Sequence, residues 1–546
     1  MISFKHYLLL GVATLLHASC SDFLDTVPLD ALSPNTTWQS EADAQKFAIG
    51  CYDGWEDGGT LLYMDCASDY GYNNFSWEGY KDFANGNITA ANSGANFYDY
   101  TIIRRCNTFL ANVENIPFAD ETVKKDLIAQ IRAIRAYRYF IMNWLYGGVP
   151  IISNYNSAEE AMVARNTEEE VKTFIETELD ECTPDLNKTP SERGRIAKGA
   201  ALALRMREAL YYGDWSTAKA KAQEIIGLNM YSLEPDYSNL FKVSGQDSKE
   251  IILAVQYIPN TYTLGIIGQM YNNGDGGWSS IVPTYNLIDD YEMDNGMTID
   301  ENGSGYDPVH PFKGRDPRMA MTVIYPGANY VKSDGTTGIF NTLDKNLPDG
   351  SSNANYMTSA DNASKTGLTW SKYLSPITQY ADIWNTNACP IVFRYAEVLL
   401  TWAEAENELN GPSADVYGKL NEVRERVGMP KVDESKYNTK ETLRELIHRE
   451  RGVEFAGEGI RRADILRWTT PEGKMLAETV LNGRLERRIG TVGAESDSEI
   501  RATITQNPAA EDVLIENRTF KPFHRYFPLG QAVLDANSNL KQNEGY

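Results

Sequence analysis

The chain has 546 residues, 42% of them hydrophobic, and a formal net charge of −24. A single core stops growing near ~300 residues, so this length calls for layered lobes or a solenoid. The acidic surface repels phosphate backbones and argues against nucleic acid as a partner.

The first element in the chain is an export signal. Lys5 and His6 precede the apolar run "YLLLGVATLL" (7–16), and the small residues Ala18 and Ser19 lead into Cys20. This order of charge, short apolar run and small-residue cleavage zone reads as a signal peptide over 1–19. The run is roughly half the ~20 apolar residues that a membrane span needs. Cys20 sits where a bacterial lipobox places its acylated cysteine, although His17 stands where that pattern prefers an aliphatic residue. Each buried acyl methylene adds about 0.8 kcal/mol to membrane attachment, so lipidation at Cys20 would anchor the protein without a spanning helix. Residues 20–40 then read as a tether. Beyond Cys20, five cysteines and no CxxC pair leave room for one or two disulfides and argue against a metal cluster.

Helical spacing dominates the next stretch of the chain. Apolar residues at 127, 131, 134, 137, 141 and 145 predict a long amphipathic helix that stops at Gly147-Gly148 before Pro150. Thr167 is the expected N-cap of a second helix with acids in its first turn. Residues 196–231 predict two helices broken at Gly213-Asp214, with Ala218 and Ala222 allowing close approach. That unit resembles a tetratricopeptide repeat of about 34 residues. Residues 393–428 repeat the idea, with the break at Gly411-Pro412. The expected fold is mainly α, a tetratricopeptide-like scaffold of helical pairs with a loop-rich irregular half. Its parts are a helical stretch over 41–228, a loop-rich insertion over 229–390 and a helical stretch over 391–546, all in one domain. The insertion is rich in Gly, Asn, Ser, Asp and Tyr, as is the patch at 58–100. Loops on a helical scaffold are where binding residues concentrate.

Several motifs in order resemble one family. They are "CSDFLDTVPLD" (20–30), "IRAIRAYRYFIMNWLYGGVPI" (131–151), "ALYYGDWSTAKAKAQEII" (209–226), "KEIILAVQY" (249–257), "FRYAEVLLTWAEAENELNG" (393–411), "LNEVRERVGMP" (420–430), "HRERGVEFAGEGIRRADILRW" (448–468) and the closing "KQNEGY" (541–546). The chain resembles a SusD/RagB-type outer-membrane nutrient-binding lipoprotein of Bacteroidetes. Ala133 departs from the pattern, standing where many members carry a glutamate. The resemblance implies a non-catalytic, surface-exposed lipoprotein. It would bind glycans, or peptides in some members, and pass them to a SusC-like TonB-dependent transporter. No cofactor is implied.

A sugar offers apolar C–H faces and a rim of hydroxyls, so its binder needs flat rings beside polar side chains. Trp77 with Tyr70, Tyr72, Asn73, Asn74 and Tyr80 supplies that mixture in the early loop. Tyr271, Asn272, Asn273, Asp275 and Trp278 supply it again in mid-chain, and Trp370 and Tyr373 are further candidates. For each ring, burial in the core competes with ligand contact. A paired-carboxylate glycoside hydrolase is the rival reading from another class. Elsewhere, Glu450, Glu454 and Glu458 lie near Arg451, Arg461 and Arg462 and read as salt bridges along a helix. Asp300, Asn302 and Ser304 begin like a calcium loop, but Pro311 occupies the place of its bidentate glutamate.

Overall fold

The computed structural model describes residues 38–153, 157–358 and 362–546. Cys20, the signal segment and most of the tether lie outside the described residues. The fold is mainly helical. Its principal helices are α1 (Glu41–Tyr52), α2 (Thr101–Val113), α3 (Glu121–Tyr146), α4 (Glu168–Cys182), α5 (Lys198–Tyr211), α6 (Trp215–Gly227), α7 (Tyr395–Asn410), α8 (Ala414–Arg426), α9 (Lys440–Phe455) and α10 (Arg461–Arg467). Among the described residues no helix is long and apolar enough to cross a membrane.

The helix ends follow from local chemistry. Asp120 opens α3 by accepting the Thr122 N–H at 2.8 Å. Gly147 closes it at φ 69°, and its N–H donates to Asn143 O at 2.8 Å. Only glycine takes that left-handed cap cheaply, and a Cβ there would meet the Tyr526 ring at 2.7 Å. Thr167 and Glu170 form a reciprocal capping box on α4. Asp214 caps α6 through Thr217 N at 3.0 Å, and Ser413 caps α8 through Val416 N at 3.3 Å.

Neighbouring helices pair α2 with α3, α3 with α4, α5 with α6, and α7 with α8, while α6 and α9 both pack on α7. Ala218 and Ala222 are fully buried in the α5–α6 contact, where the missing side-chain bulk lets the helices close up. One continuous apolar cluster runs from Ala44 to Leu540.

Strands are short and two-stranded. β1 (Gly71–Asn73) pairs antiparallel with β3 (Ile281–Pro283), matching Asn73 to Ile281. β2 (Ile251–Ala254) pairs antiparallel with β4 (Ile391–Arg394), matching Ile251 to Arg394. The β2–β4 ladder therefore pins the two ends of the loop-rich stretch side by side.

A buried charge network joins that stretch to the C-terminal helices. Arg394 donates to Glu250 at 2.8 Å, to Glu454 at 2.8 Å and to Glu458 at 2.6 Å. Arg318 reaches Asp316 and Glu450, Arg424 bridges Glu450 and Glu292, and Lys372 pairs with Glu458. The expected helix-local pairing is corrected here. Glu450, Glu454 and Glu458 are answered by cations distant in sequence, while Arg451 pairs with Asp464 and Arg461 with Asp69. The reason is burial: these carboxylates face the interior, where only groups from packed neighbours can reach them. Cys51, Cys66, Cys106, Cys182 and Cys389 are all buried free thiols, so no disulfide joins them.

Candidate ligand platform

The β1–β3 ladder brings together two loops some 200 residues apart. Past Asn73 the pairing continues, with Asn74 N donating to Ser280 O at 2.8 Å. The Asn74 side chain adds bonds to Ser279 O at 2.6 Å and to Ala363 O at 3.2 Å. Trp77 follows one strand and Trp278 precedes the other, so both rings leave the ladder at the same end.

Trp77 is 73% exposed and stacks on buried Phe75 with ring centroids 4.3 Å apart. Trp278 is 39% exposed and packs against Trp384 at 4.8 Å, tilted by 58°. The Trp278 segment folds back on the short helix Ile266–Met270, where Trp278 N donates to Gly268 O at 3.2 Å and Ser280 N to Gln269 O at 2.7 Å. Ser279 holds φ 44°, an uncommon angle for a residue with a Cβ, and is kept there by its N–H bond to Tyr271 O at 3.0 Å. Gly268 lies under the Trp384 ring, and a Cβ at that position would come within 2.5 Å of it.

Asn74 and Asn273 are half-buried, and the other expected residues sit inside, for identifiable reasons. Tyr70 is buried beneath the Arg461 guanidinium, 3.8 Å from its ring centre, and its hydroxyl donates to Asp290. Burial and the neighbouring carboxylates push its phenol well up, and Arg461 only partly opposes them. Tyr72 is buried and accepts from Lys81 at 3.0 Å. Asn73 is buried and spends its amide on Ser280 O at 3.0 Å and on Glu78. Tyr80 stacks on Tyr63 at 4.5 Å inside the core. Tyr271 is buried with its hydroxyl on Ser375 O. Asp275 accepts from Asn272 at 2.8 Å and from Ser333 N at 2.8 Å, which staples the mid-chain loop. Trp370 and Tyr373 are both 2% exposed. These side chains build and brace the loops; of the rings beside the β1–β3 ladder, Trp77 and Trp278 are exposed and their neighbour Trp384 is half-buried.

Phe75 and Trp384 are the positions that sequence reasoning missed. Trp384 stands in "QYADIWNTN" (379–387), an aromatic in an Asn- and Asp-rich loop, the same signal that marks Trp278.

Comparison with known proteins adds the lineage. The family model described as the SusD family matches residues 249–546. The chain belongs to the SusD family. Residues 22–210 match a second SusD-like model, described as starch-binding and associating with the outer membrane. A SusD-like protein of Formosa agariphila is 26% identical over 485 residues, spanning 82% of this chain and 87% of that protein. A SusD-like protein of Bacteroides ovatus is 26% identical over 498 residues, spanning 84% and 82%. Among solved structures, a SusD-like carbohydrate-binding protein of Bacteroides fragilis superposes with a TM-score of 0.80 at 28% identity, covering 93% of this chain and all of that one. A laminarin-binding SusD-like protein shares the fold at a TM-score of 0.69 and 22% identity, covering 93% of this chain and all of that one.

Proposed function

We propose that this SusD-family protein captures glycans on the Trp77–Trp278–Trp384 surface without cleaving them. It then delivers them to a SusC-like TonB-dependent transporter, while acylated Cys20 holds it at the outer membrane. The observation that carries this reading is the pair of exposed tryptophans held at one end of the β1–β3 ladder. Ring faces meet sugar C–H faces, and rigid indoles lose little conformational freedom on binding. The solved Bacteroides fragilis relative described as carbohydrate-binding supports the ligand class. The outer-membrane description of the matched model supports the location.

A glycan array run beside a peptide library tests the ligand. Saturable binding to glycans, with no new reducing ends when a polysaccharide panel is incubated with the protein, is the expected result. Binding to peptides alone, or release of reducing ends, overturns the reading.

A further inference from the structure

A cavity of about 240 Å³ opens elsewhere on the molecule and shares no lining residue with the tryptophan surface. Exposed Gly54, Asp57, Asn96 and Asp99 form its rim. Its walls are rings from α3, α5 and the loop before α2: Phe97, Tyr137, Phe140, Trp144 and Tyr211. An apolar cavity of about 150 Å³ already accepts benzene, so this one has room for a ring and a small substituent.

The charges of the lining are unevenly spent. Arg207 is answered by Glu397 at 2.6 Å, and Glu458 by Arg394 and Lys372. Asp57 accepts from Gly59 N and Thr60 N, and Asp99 from Thr101 N. Glu56 accepts from Tyr137 and from Asp57 N, and burial pushes its carboxyl up against the pull of nearby Arg138. Two guanidiniums are left over. Arg462 is 2% exposed and donates only to the carbonyls of Ala67, Phe83 and His524, with no partner for its Nε. Arg138 makes one long bond to Trp55 O at 3.4 Å, and its buried Nε is also unpartnered. Neither has a carboxylate within ion-pair distance among the described residues. Burial without such a partner pushes the Arg462 guanidinium down to about 9. A buried cation lacking a counter-ion is a standing cost that a bound anion relieves.

We infer that this cavity binds a small monocarboxylic acid with a ring body, its carboxylate meeting Arg138 and Arg462 and its ring lying among Phe97, Phe140 and Trp144. Arginine recognises phosphate as readily as carboxylate. The acidic rim of Asp57 and Asp99 favours the single charge of a carboxylate over the double charge of a phosphate.

Calorimetry on the full folded chain tests this with sodium benzoate and sodium glucuronate as probes, and with benzyl alcohol, glucose and inorganic phosphate as controls. At least one of the two acids is expected to bind saturably and raise the melting temperature, with the neutral controls inert. Arg462→Gln removes a fully buried group and can disturb folding, so half-buried Arg138→Gln is the deciding variant. It should weaken the acid at least tenfold, whereas Trp278→Ala leaves acid binding unchanged. Absence of saturable binding by either acid at millimolar concentration overturns the inference. So does equal binding of the neutral controls or of phosphate, or full affinity in Arg138→Gln.

Discussion

The side-chain amide of Asn74 donates to the Ser279 carbonyl at 2.6 Å, joining the Trp77 loop to the Trp278 loop across 205 residues of sequence. Replacing Asn74 with leucine keeps the bulk and leaves the Ser279 and Ala363 carbonyls without this donor. Unpaired buried polar groups cost about 1–3 kcal/mol each. Asn74→Leu is therefore expected to lower stability by roughly that amount in urea titration and to weaken glycan binding, because the two loops lose their common register. Unchanged stability and affinity would show that the backbone ladder suffices.

Trp77 and Trp278 separate the ligand's contribution from the fold's. Stacking on a single ring is worth about 1–3 kcal/mol where bases are the partner. Trp77→Ala should cost a similar amount in glycan affinity by calorimetry while moving stability by less than ~0.5 kcal/mol, since the ring is mostly in solvent. Trp278→Ala should cost affinity and also some stability, since it abandons Trp384. Full affinity in both variants would remove these rings from the site.

Gly268 offers a test that touches no ligand. Gly268→Ala drives a methyl into the Trp384 ring, and overpacking of this kind costs about 1–3 kcal/mol. The expected outcome is displaced Trp384, altered tryptophan fluorescence and weaker glycan binding with the same ligand preference. An unaltered emission spectrum and affinity would mean that the ring yields without consequence.

Arg394 answers three carboxylates at once, so its loss leaves Glu250, Glu454 and Glu458 in the interior with only Arg426, Arg318 and Lys372 to balance them. Removing one partner of a buried pair costs about 3–5 kcal/mol. Arg394→Met should lose at least that much, and Arg394→Lys should recover little, because one ammonium cannot reproduce the fork. A urea midpoint close to the wild type in either variant contradicts this role.

Asp65 predicts a pH dependence. Burial pushes its carboxyl up to about 7, against an ordinary 3.8, with the Gly459 and Gly457 amides and Lys372 only partly opposing. The folded state therefore keeps a proton that the unfolded chain releases above about pH 4. Its contribution to stability is full below about pH 4, drains as pH rises, and is spent above about pH 7. Asp65→Asn should flatten the fall in urea midpoint over that window relative to the wild type. Parallel curves for the two proteins would rule the residue out as a source.

Much of the scaffold was legible in the sequence because it rests on local rules. The three-and-four spacing of α3, its stop at Gly147, the Thr167 cap and the break at Gly213-Asp214 each depend on neighbours within one or two turns. The partners of Glu450, Glu454 and Glu458 were not legible, because Arg394 and Arg318 come to them through tertiary packing. The same limit governs the rings. Nothing local distinguishes Tyr70, buried under Arg461, from Trp77 seven residues on, which stands in solvent. Trp384 carries the same local signal as Trp278, an aromatic in an Asn- and Asp-rich loop, but its packing on Trp278 spans more than a hundred residues and is not a local property.

The three-residue β1–β3 ladder carries a wider consequence. The proposed recognition surface is three brief peptide stretches, around Trp77, Trp278 and Trp384, carried on a body locked by buried charge pairs. On the proposed function, exchanging those stretches would change the ligand while the chassis underneath keeps its architecture.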